Sequence, residues 1–200
     1  MKTVNVTIVG VGGQGVVSAG MIIGTAITKK NINTIMSEIH GMAQRGGIVS
    51  VDLRIGDAYG PIIPNGLVDL IIGFEAMETL RSLNRAGKDT IVILNKEKII
   101  PFTVNIGDSP YPDIEKIVKE KDLKNIIEIG AVELAKETGN YQAVNMVMIG
   151  AALASGILPI EEKDIEDAVK SIFPEFSWES NINAFKLGIK EFKKIKGAYQ

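Results

Sequence analysis

The hexapeptide GVGGQG at Gly10–Gly15 has the residue types and spacing of a site that could bind a phosphate group. Gly10, Gly12 and Gly15 satisfy the pattern G-x-G-x-x-G, and the β-branched run Val4–Val9 precedes them as a buried strand would. In this pattern a tight turn exposes the N-terminus of a helix, whose free N–H groups and partial positive charge can hold a phosphate. The hexapeptide therefore predicts a nucleotide site.

The same glycines also fit a structural role, in which they only let a strand and a helix pack closely. Gly13 and Gln14 make this turn differ from the usual dinucleotide fingerprint. Glu38 favours the nucleotide interpretation, because it lies near the end of the second predicted strand, where a dinucleotide-binding fold places a ribose-binding carboxylate. A stand-alone Rossmann-type nucleotide-binding protein is one hypothesis, and close packing without a ligand is the other.

The decapeptide EIHGMAQRGG at Glu38–Gly47 is the second segment with chemically versatile residues. It contains the only histidine of the chain, His40, and Arg45, whose permanently charged fork of donors suits phosphate or carboxylate. Gly46 and Gly47 permit backbone angles that other residues resist, so the decapeptide is predicted to be a loop, neither helix nor strand. In the alternative, structural interpretation, Arg45 pairs with an internal carboxylate and His40 bonds to a backbone carbonyl.

Glu75 and Glu78 follow the C-terminal end of a predicted strand, at the edge where open α/β sheets bind ligands. Paired carboxylates can act in acid–base catalysis. Acidic residues are also common in the first turn of a helix, where they face the positive end of its dipole. The second interpretation is preferred for this pair.

Side chains for demanding chemistry are scarce in this chain. It has no cysteine and one histidine, which excludes disulfides, thiolate nucleophiles, Cys-ligated zinc, Cys-held iron–sulfur clusters and multi-histidine metal sites within the chain. No nucleophile elbow is present, and Val16 and Val17 follow Gly15 where a phosphate loop has a lysine. No catalytic residue and no metal ligand is therefore assigned.

The elements that must position these residues alternate between strand and helix. Apolar, β-branched runs predict strands at Val4–Val9, Asn33–Ser37, Ile48–Ile55, Val68–Phe74, Thr90–Leu94 and Asn125–Ile129. Helical patterns are found at Gly15–Lys30, Glu75–Gly87, Asp113–Asp122, Ala131–Thr138, Gln142–Gly156, Glu161–Phe173 and Ser180–Lys196. This alternation predicts an α/β fold of three layers, with a largely parallel sheet between flanking helices and a helical C-terminal part. Partial alternation within the third strand indicates that one of its faces is exposed to water.

Length and composition fit a single domain over residues 1–200, with an α/β body at about 1–140 and C-terminal helices at about 141–200. A net charge of -2 gives no electrostatic case for a nucleic-acid partner. No stretch reaches the roughly 18–20 apolar residues of a membrane span, and the N-terminus lacks a secretion signal, so a cytoplasmic protein is expected. The apolar segment Gln142–Ile157 is predicted to be core, and a self-association surface is the alternative.

Several segments together resemble the gamma-type domain of the 2-oxoacid:ferredoxin oxidoreductase family. They are GVGGQGVVSAGMIIGTA, SEIHGMAQRGGIVSVDLRIG and VDLIIGFEAMETLR, and the similarity continues through GNYQAVNMVMIGAALASGILPI and ESNINAFKLGIKEF. Within the family, the HGMAQRGG form is most similar to the beta subunits of the indolepyruvate-type enzymes. The resemblance covers nearly the whole chain.

This resemblance implies an accessory subunit of an enzyme that oxidatively decarboxylates aryl 2-oxoacids. Such enzymes make acyl-CoA and CO2 and pass the electrons to ferredoxin. In the family a large catalytic alpha subunit carries thiamine diphosphate, Mg2+ and [4Fe-4S] clusters, with coenzyme A as co-substrate. The present chain is therefore expected to bind no cofactor alone, and its lack of cysteine fits that division.

The resemblance also places the two glycine segments at a site shared with the partner, near coenzyme A or the substrate. Gly12, Gly13, Gln14 and Gly15 are expected to offer backbone or amide donors, and Arg45 to offer charge. The full set of candidate binding residues is Gly10, Gly12, Gly13, Gln14, Gly15, His40, Arg45, Gly46 and Gly47. Glu38 belongs to the nucleotide alternative only.

Overall fold

The computed structural model describes residues 2–41, 47–97 and 125–198. The strands in these ranges are β1 (Val4–Val11), β2 (Thr34–His40), β3 (Ile48–Ile55), β4 (Val68–Gly73), β5 (Ala86–Asn95) and β6 (Ile126–Ile129). The α-helices are α1 (Val16–Lys29), α2 (Ala76–Ser82), α3 (Ala131–Glu137), α4 (Val144–Ala154), α5 (Glu162–Ile172) and α6 (Trp178–Ala198). Short 3-10 turns cover Leu83–Arg85, Tyr141–Ala143 and Glu175–Ser177. The predicted helix at Asp113–Asp122 lies outside the described residues.

The strands form one sheet in the order β2-β3-β1-β4-β5-β6. The pairs β1–β4, β4–β5 and β5–β6 are parallel, whereas β3 is antiparallel to both β1 and β2. Because β3 is the one reversed strand among them, β1 and β2 run in the same direction with β3 between them. The predicted α/β fold with a largely parallel sheet is confirmed.

Helix α1 and the C-terminal helices share the main core with one face of the sheet. Ile8, Leu53 and Ile72 of the sheet and Ile22 and Ile23 of α1 are all 0% exposed. Burial of this apolar surface is the largest favourable contribution to folding. Helix α4 is buried along most of its length, as expected for a helix that is apolar on all sides.

Two glycines bring α4 and α6 into close contact. A Cβ atom on Gly150 would lie 2.0 Å from the carbonyl oxygen of Phe185, and one on Gly188 would lie 2.0 Å from that of Val147. Real atoms cannot approach so closely, so the crossing exists only with hydrogen in place of a side chain at both positions. This contact fixes the C-terminal helices on the sheet.

The other face of the sheet carries a smaller apolar cluster and a buried ion pair. The carboxylate of Asp52 accepts hydrogen bonds from Arg85 at 3.0 and 2.7 Å and from the hydroxyl of Thr7 at 2.9 Å. Such bidentate pairing satisfies a charge whose isolated burial would be costly. It links β1, β3 and the turn that follows α2.

Two sequence-based expectations are wrong in detail, and a third is confirmed. Glu38, Ile39 and His40 belong to β2, because they pair with Val51, Ser50 and Val49 of β3 instead of starting a loop. The partly wet face predicted for β3 is observed, since Ile48 is exposed and Ser50 and Arg54 are half-buried on one face, whereas the alternate residues of the strand are buried. The predicted helix Glu75–Gly87 ends at Ser82 as an α-helix, and β5 already begins at Ala86, which pairs with Val68.

Candidate functional site

A cleft of about 980 Å³ lies at the edge where the parallel strands end. One wall is formed by residues 12–15 of the glycine turn, which spans residues 10–15, together with Ser18 in the first turn of α1. The opposite wall consists of α3, the 3-10 turn at Tyr141–Ala143 and the segment 173–181 before and within α6. This edge is where open α/β sheets bind their ligands, and it is where the glycine pattern predicted a site.

The glycine turn has a backbone that only glycine adopts readily. Gly13 has φ 97° and Gly15 has φ 80°, and the N–H of Gly12 donates to the carbonyl of Gly47 at 2.9 Å. Gly15 caps α1 without a side-chain hydrogen bond, and no acidic residue lies in the first turn of that helix. The N-terminal end of α1, with its partial positive charge, therefore opens into the cleft without a carboxylate of its own.

Gln14 lies in this turn, but its side chain binds the protein itself. Its Oε1 accepts from the N–H of Val11 at 2.9 Å, and its Nε2 donates to the carbonyl of Phe74 at 3.1 Å. A Cβ atom on Gly10 would lie 2.6 Å from that Oε1. The amide of Gln14 thus shapes the turn, and Gly10 leaves the space that the amide fills.

Glu38 and His40 lie away from the cleft, at the end of β2. His40 Nε2 and Glu38 Oε2 are 3.2 Å apart, and both side chains are well exposed. In a Rossmann fold the second strand lies beside the first, so that its carboxylate reaches a bound ribose. Here β3 lies between them, which puts β2 two strand spacings, about 10 Å, from β1. This topology disfavours the nucleotide-binding alternative.

Of the second glycine segment, the structure describes Glu38–Gly41 and Gly47. Gly41 donates to the carbonyl of Ile48 at 2.7 Å, and the Gly47 carbonyl accepts from Gly12. The β2–β3 hairpin and the glycine turn are thus in direct contact. Arg45 and Gly46 lie outside the described residues, so their roles stay predictions.

Glu75 and Glu78 act as first-turn residues of α2. Glu75 caps the helix, since its Oε2 accepts from the N–H of Glu78 at 3.0 Å, and Glu78 forms an ion pair with Arg81. Burial raises the pKa of Glu78, while the nearby Arg81 opposes that rise. Neither carboxylate lines the cleft, so the geometry favours the structural interpretation of this pair.

Several lining residues were not singled out in the sequence. Lys136 and Glu97 are the charged residues among the described lining, and Tyr141 and Phe176 are aromatic side chains that are 67% and 89% exposed. Asn145 packs on the turn, with side-chain atoms 3.3 Å from the position of a Cβ on Gly15. No local motif connects these residues, because they come from separate helices and turns.

Among its described residues, the cleft offers backbone donors, one lysine, one exposed glutamate (Glu97), neutral amides and exposed aromatic faces. That set suits an anionic ligand with a flat ring or an inserted segment of another protein. Within the described ranges, no three His, Cys, Asp or Glu side chains are grouped so as to hold a metal ion. Likewise, no described helix combines the length and apolar character that a membrane span requires.

Comparison of the whole sequence with known proteins identifies the family of this chain. Residues 5–191 match the pyruvate ferredoxin/flavodoxin oxidoreductase family. The chain belongs to this family. It is 40% identical over 186 residues to the indolepyruvate oxidoreductase subunit IorB of Methanothermobacter thermautotrophicus, covering 92% of this chain and 95% of that relative. It is 36% identical over 201 residues to the subunit of the same name from Thermococcus kodakarensis, covering 98% and 100% of the two chains.

Solved structures share the fold of this chain. The gamma subunit of keto/oxoacid ferredoxin oxidoreductase from Geobacter sulfurreducens matches with a TM-score of 0.71 and 20% identity, over 96% of this chain and 99% of that one. A 2-oxoglutarate:ferredoxin oxidoreductase from Magnetococcus marinus, with 2-oxoglutarate, coenzyme A and succinyl-CoA bound, matches with a TM-score of 0.74 and 19% identity. That match covers 97% of this chain but 32% of the other, so there the same fold is part of a longer polypeptide.

Proposed function

We propose that this chain is the accessory subunit of an indolepyruvate:ferredoxin oxidoreductase. The observation that carries the proposal is the 40% identity, over 92% of the chain, to a subunit named for indolepyruvate oxidation. The reaction of the complex is oxidative decarboxylation of an aryl 2-oxoacid. The carboxyl group leaves as CO2, the acyl group passes to the thiol of coenzyme A, and the electrons pass to ferredoxin.

The redox centres of this reaction belong to a larger partner subunit in our proposal. The chain contains no cysteine and one histidine, so its residues do not fit an iron–sulfur cluster. Thiamine diphosphate, Mg2+ and [4Fe-4S] clusters are therefore assigned to the large catalytic alpha subunit, and ferredoxin to the complex. A cytoplasmic location of this complex is part of the proposal and can be tested by cell fractionation.

The cleft is the part of this chain that we assign to the shared active site. Coenzyme A combines phosphate groups with an adenine ring. The cleft combines the N-terminal end of α1, the ammonium of Lys136 and the exposed rings of Tyr141 and Phe176. Glu97 supplies the single carboxylate among the described lining residues. A helix N-terminus and a lysine stabilise phosphate, and aromatic rings provide stacking surfaces for a base. This chemical match supports coenzyme A, more than the 2-oxoacid, as the ligand of the cleft.

Reconstitution tests the proposed function. The chain is purified alone and together with the large subunit, and each sample is assayed with indolepyruvate, coenzyme A and ferredoxin, and then with a panel of branched and small 2-oxoacids. We expect activity only in the two-subunit sample and the highest kcat/KM with indolepyruvate. Full activity of the large subunit without this chain, or turnover by this chain alone, would contradict the proposal.

Arg45 gives a residue-specific test of the same assignment. If its guanidinium neutralises a ligand anion, Arg45→Ala should lower the activity of the complex by about 10- to 100-fold while the fold is unchanged, because a charge-assisted contact is lost. Arg45→Lys is the matched control, since it keeps the charge but not the bidentate fork. Normal subunit assembly together with normal coenzyme A affinity in Arg45→Ala would show that this role is wrong.

A further inference from the structure

Two buried or half-buried side-chain amides connect the ends of the parallel strands. Gln14 accepts from the N–H of Val11 and donates to the carbonyl of Phe74, at 2.9 and 3.1 Å. Asn95 donates to the same Phe74 carbonyl at 3.2 Å, and its Oδ1 accepts from the N–H of Ala131 at 3.2 Å. The resulting series, Val11–Gln14–Phe74–Asn95–Ala131, is named the amide relay below.

The amide relay connects the two walls of the cleft. At one end, Gln14 sits inside the glycine turn after β1. At the other end, Ala131 is the first residue of α3, the helix that brings Val132 and Lys136 to the opposite wall. Asn95 itself is 1% exposed and is absent from the described lining of the cleft, so its amide acts on the walls and not on a ligand.

At each end of the relay, a side-chain amide occupies a place that the neighbouring residues leave open. Helix α3 has Gly130 at its N-cap position and no side-chain cap of its own, so Asn95 from β5 satisfies the first N–H of the helix. On the other side, Gly10 has no room for a Cβ, which would lie 2.6 Å from Gln14 Oε1 and 2.9 Å from Phe74 Cβ. The turn is thus built around the Gln14 amide.

We infer that Asn95 is a positioning residue that holds the glycine turn and α3 at a fixed separation and so sets the affinity of the cleft for its ligand. The ligand's identity as coenzyme A rests on the proposed function, whereas the mechanical link between the two walls does not. Both amides share one acceptor, the Phe74 carbonyl. If either amide is removed, a single side chain holds the Phe74 carbonyl instead of two. The remaining amide is then bound to a less constrained acceptor.

Hydrogen exchange of the full-length chain tests the link without any ligand. In Asn95→Leu, which is nearly isosteric, the bond to the Phe74 carbonyl and the bond from Ala131 are both lost, one towards each wall. Amide exchange should therefore rise about fivefold both in the glycine turn and in the first turn of α3, the change expected for one hydrogen bond on each side. Asn5→Leu is the matched control. Asn5 is 6% exposed, donates to the Leu67 carbonyl at 2.8 Å and accepts from Arg54, but it lies near the start of β1, at the end of the strand that faces away from the cleft.

A second variant keeps the inference testable if Asn95→Leu does not fold. Gln14→Met removes the half-buried amide at the other end of the relay. It should raise exchange in α3 as well as in the turn, although the hydrogen bonds of the Gln14 amide are to Val11 and Phe74 and not to that helix. Equal increases at the cleft in Asn5→Leu, or a Gln14→Met effect confined to residues 10–16, would overturn the relay.

The functional consequence is measured in the reconstituted two-subunit enzyme. Asn95→Leu should raise KM for coenzyme A about fivefold with kcat within about twofold of wild type, because a positioning residue for binding alters KM more than kcat. Asn5→Leu should leave both constants unchanged. A lower kcat with unchanged KM would overturn the binding role. If the wild-type complex is inactive, the proposed function fails, and the exchange experiment still decides the link.

Discussion

At the level of single side chains, burial governs the ionisation of Glu78. Removal from water raises its pKa above the usual 4.5, the Glu75 carboxylate acts in the same direction, and Arg81 opposes both. The native state therefore holds the Glu78 proton more tightly than the unfolded state does. The corresponding stabilisation is fully present below about pH 4.5 and is lost as the pH rises through the native pKa.

Glu78→Gln removes this titration and gives a prediction of defined sign. Relative to the variant, the free energy of unfolding of the wild type should fall as the pH is raised from about pH 4 to about pH 8, because only the wild type must bury a charge. Urea unfolding of both proteins at the two pH values measures this difference in the free energy of unfolding. Parallel pH profiles of the two proteins would show that Glu78 does not titrate differently in the native state.

Gly13 tests the backbone of the glycine turn. Its φ of 97° is strained for any side chain, whereas no neighbouring atom lies within 4 Å of a Cβ placed there. Gly13→Val should therefore destabilise the chain by about 1–3 kcal/mol through backbone strain alone, and it should lower the activity of the complex. Thermal unfolding and steady-state assay measure the two effects. Gly13→Asn should be milder, because Asn tolerates positive φ better than a β-branched residue.

At the level of elements, the α4–α6 crossing depends on a contact between backbones. Gly150→Ala would place Cβ 2.0 Å from the Phe185 carbonyl oxygen, so the helices must separate, at a cost of about 1–3 kcal/mol in unfolding free energy. Gly24→Ala in α1 is the matched control, since its Cβ would meet only Leu53 at 3.9 Å. There the substitution should stabilise by about 0.5–1 kcal/mol through helix propensity. Urea unfolding of both variants gives the comparison.

The elements predicted well from the sequence are those whose boundaries follow from their own local residue pattern. Strand β3 spans Ile48–Ile55 as expected, and α1 and α5 differ from expectation only at their ends. Pairing with distant residues decided the others. β2 continues to His40 because β3 offers partners there, and β5 begins at Ala86 because Val68 is opposite it.

In the candidate site, too, the residues of a local motif were predicted and the residues brought together by the tertiary fold were not. The glycine turn, which was predicted from its local spacing to bind a ligand, lines the cleft. Lys136, Tyr141 and Phe176 were not, because each lies on a separate element, and only the tertiary fold brings them together. Gln14 was expected to offer an amide donor to a ligand, but the carbonyl that accepts from it, on Phe74, is distant in sequence. Such partners cannot be deduced from a motif alone.

At the level of the whole molecule, the sheet order argues against binding of a dinucleotide by the chain alone. Calorimetric titration of the purified chain with NAD, NADP and FAD should give no binding at about 1 mM. Glu38, the carboxylate predicted to bind the ribose, lies on β2, which β3 separates from β1. Titration with coenzyme A under the same conditions is the positive comparison. A dissociation constant for NAD below about 100 µM would restore the nucleotide hypothesis.

The reversed strand β3 also limits what protein engineering can achieve here. Converting this scaffold into a nicotinamide-dependent enzyme would require new chain connectivity, since point substitutions on β2 cannot move it next to β1. Instead, Gly47, the residue that precedes β3, is bound to the glycine turn through the Gly12–Gly47 hydrogen bond. Exchanging the sequence between β2 and β3 for that of a homologue is consequently the more promising route to altered ligand preference.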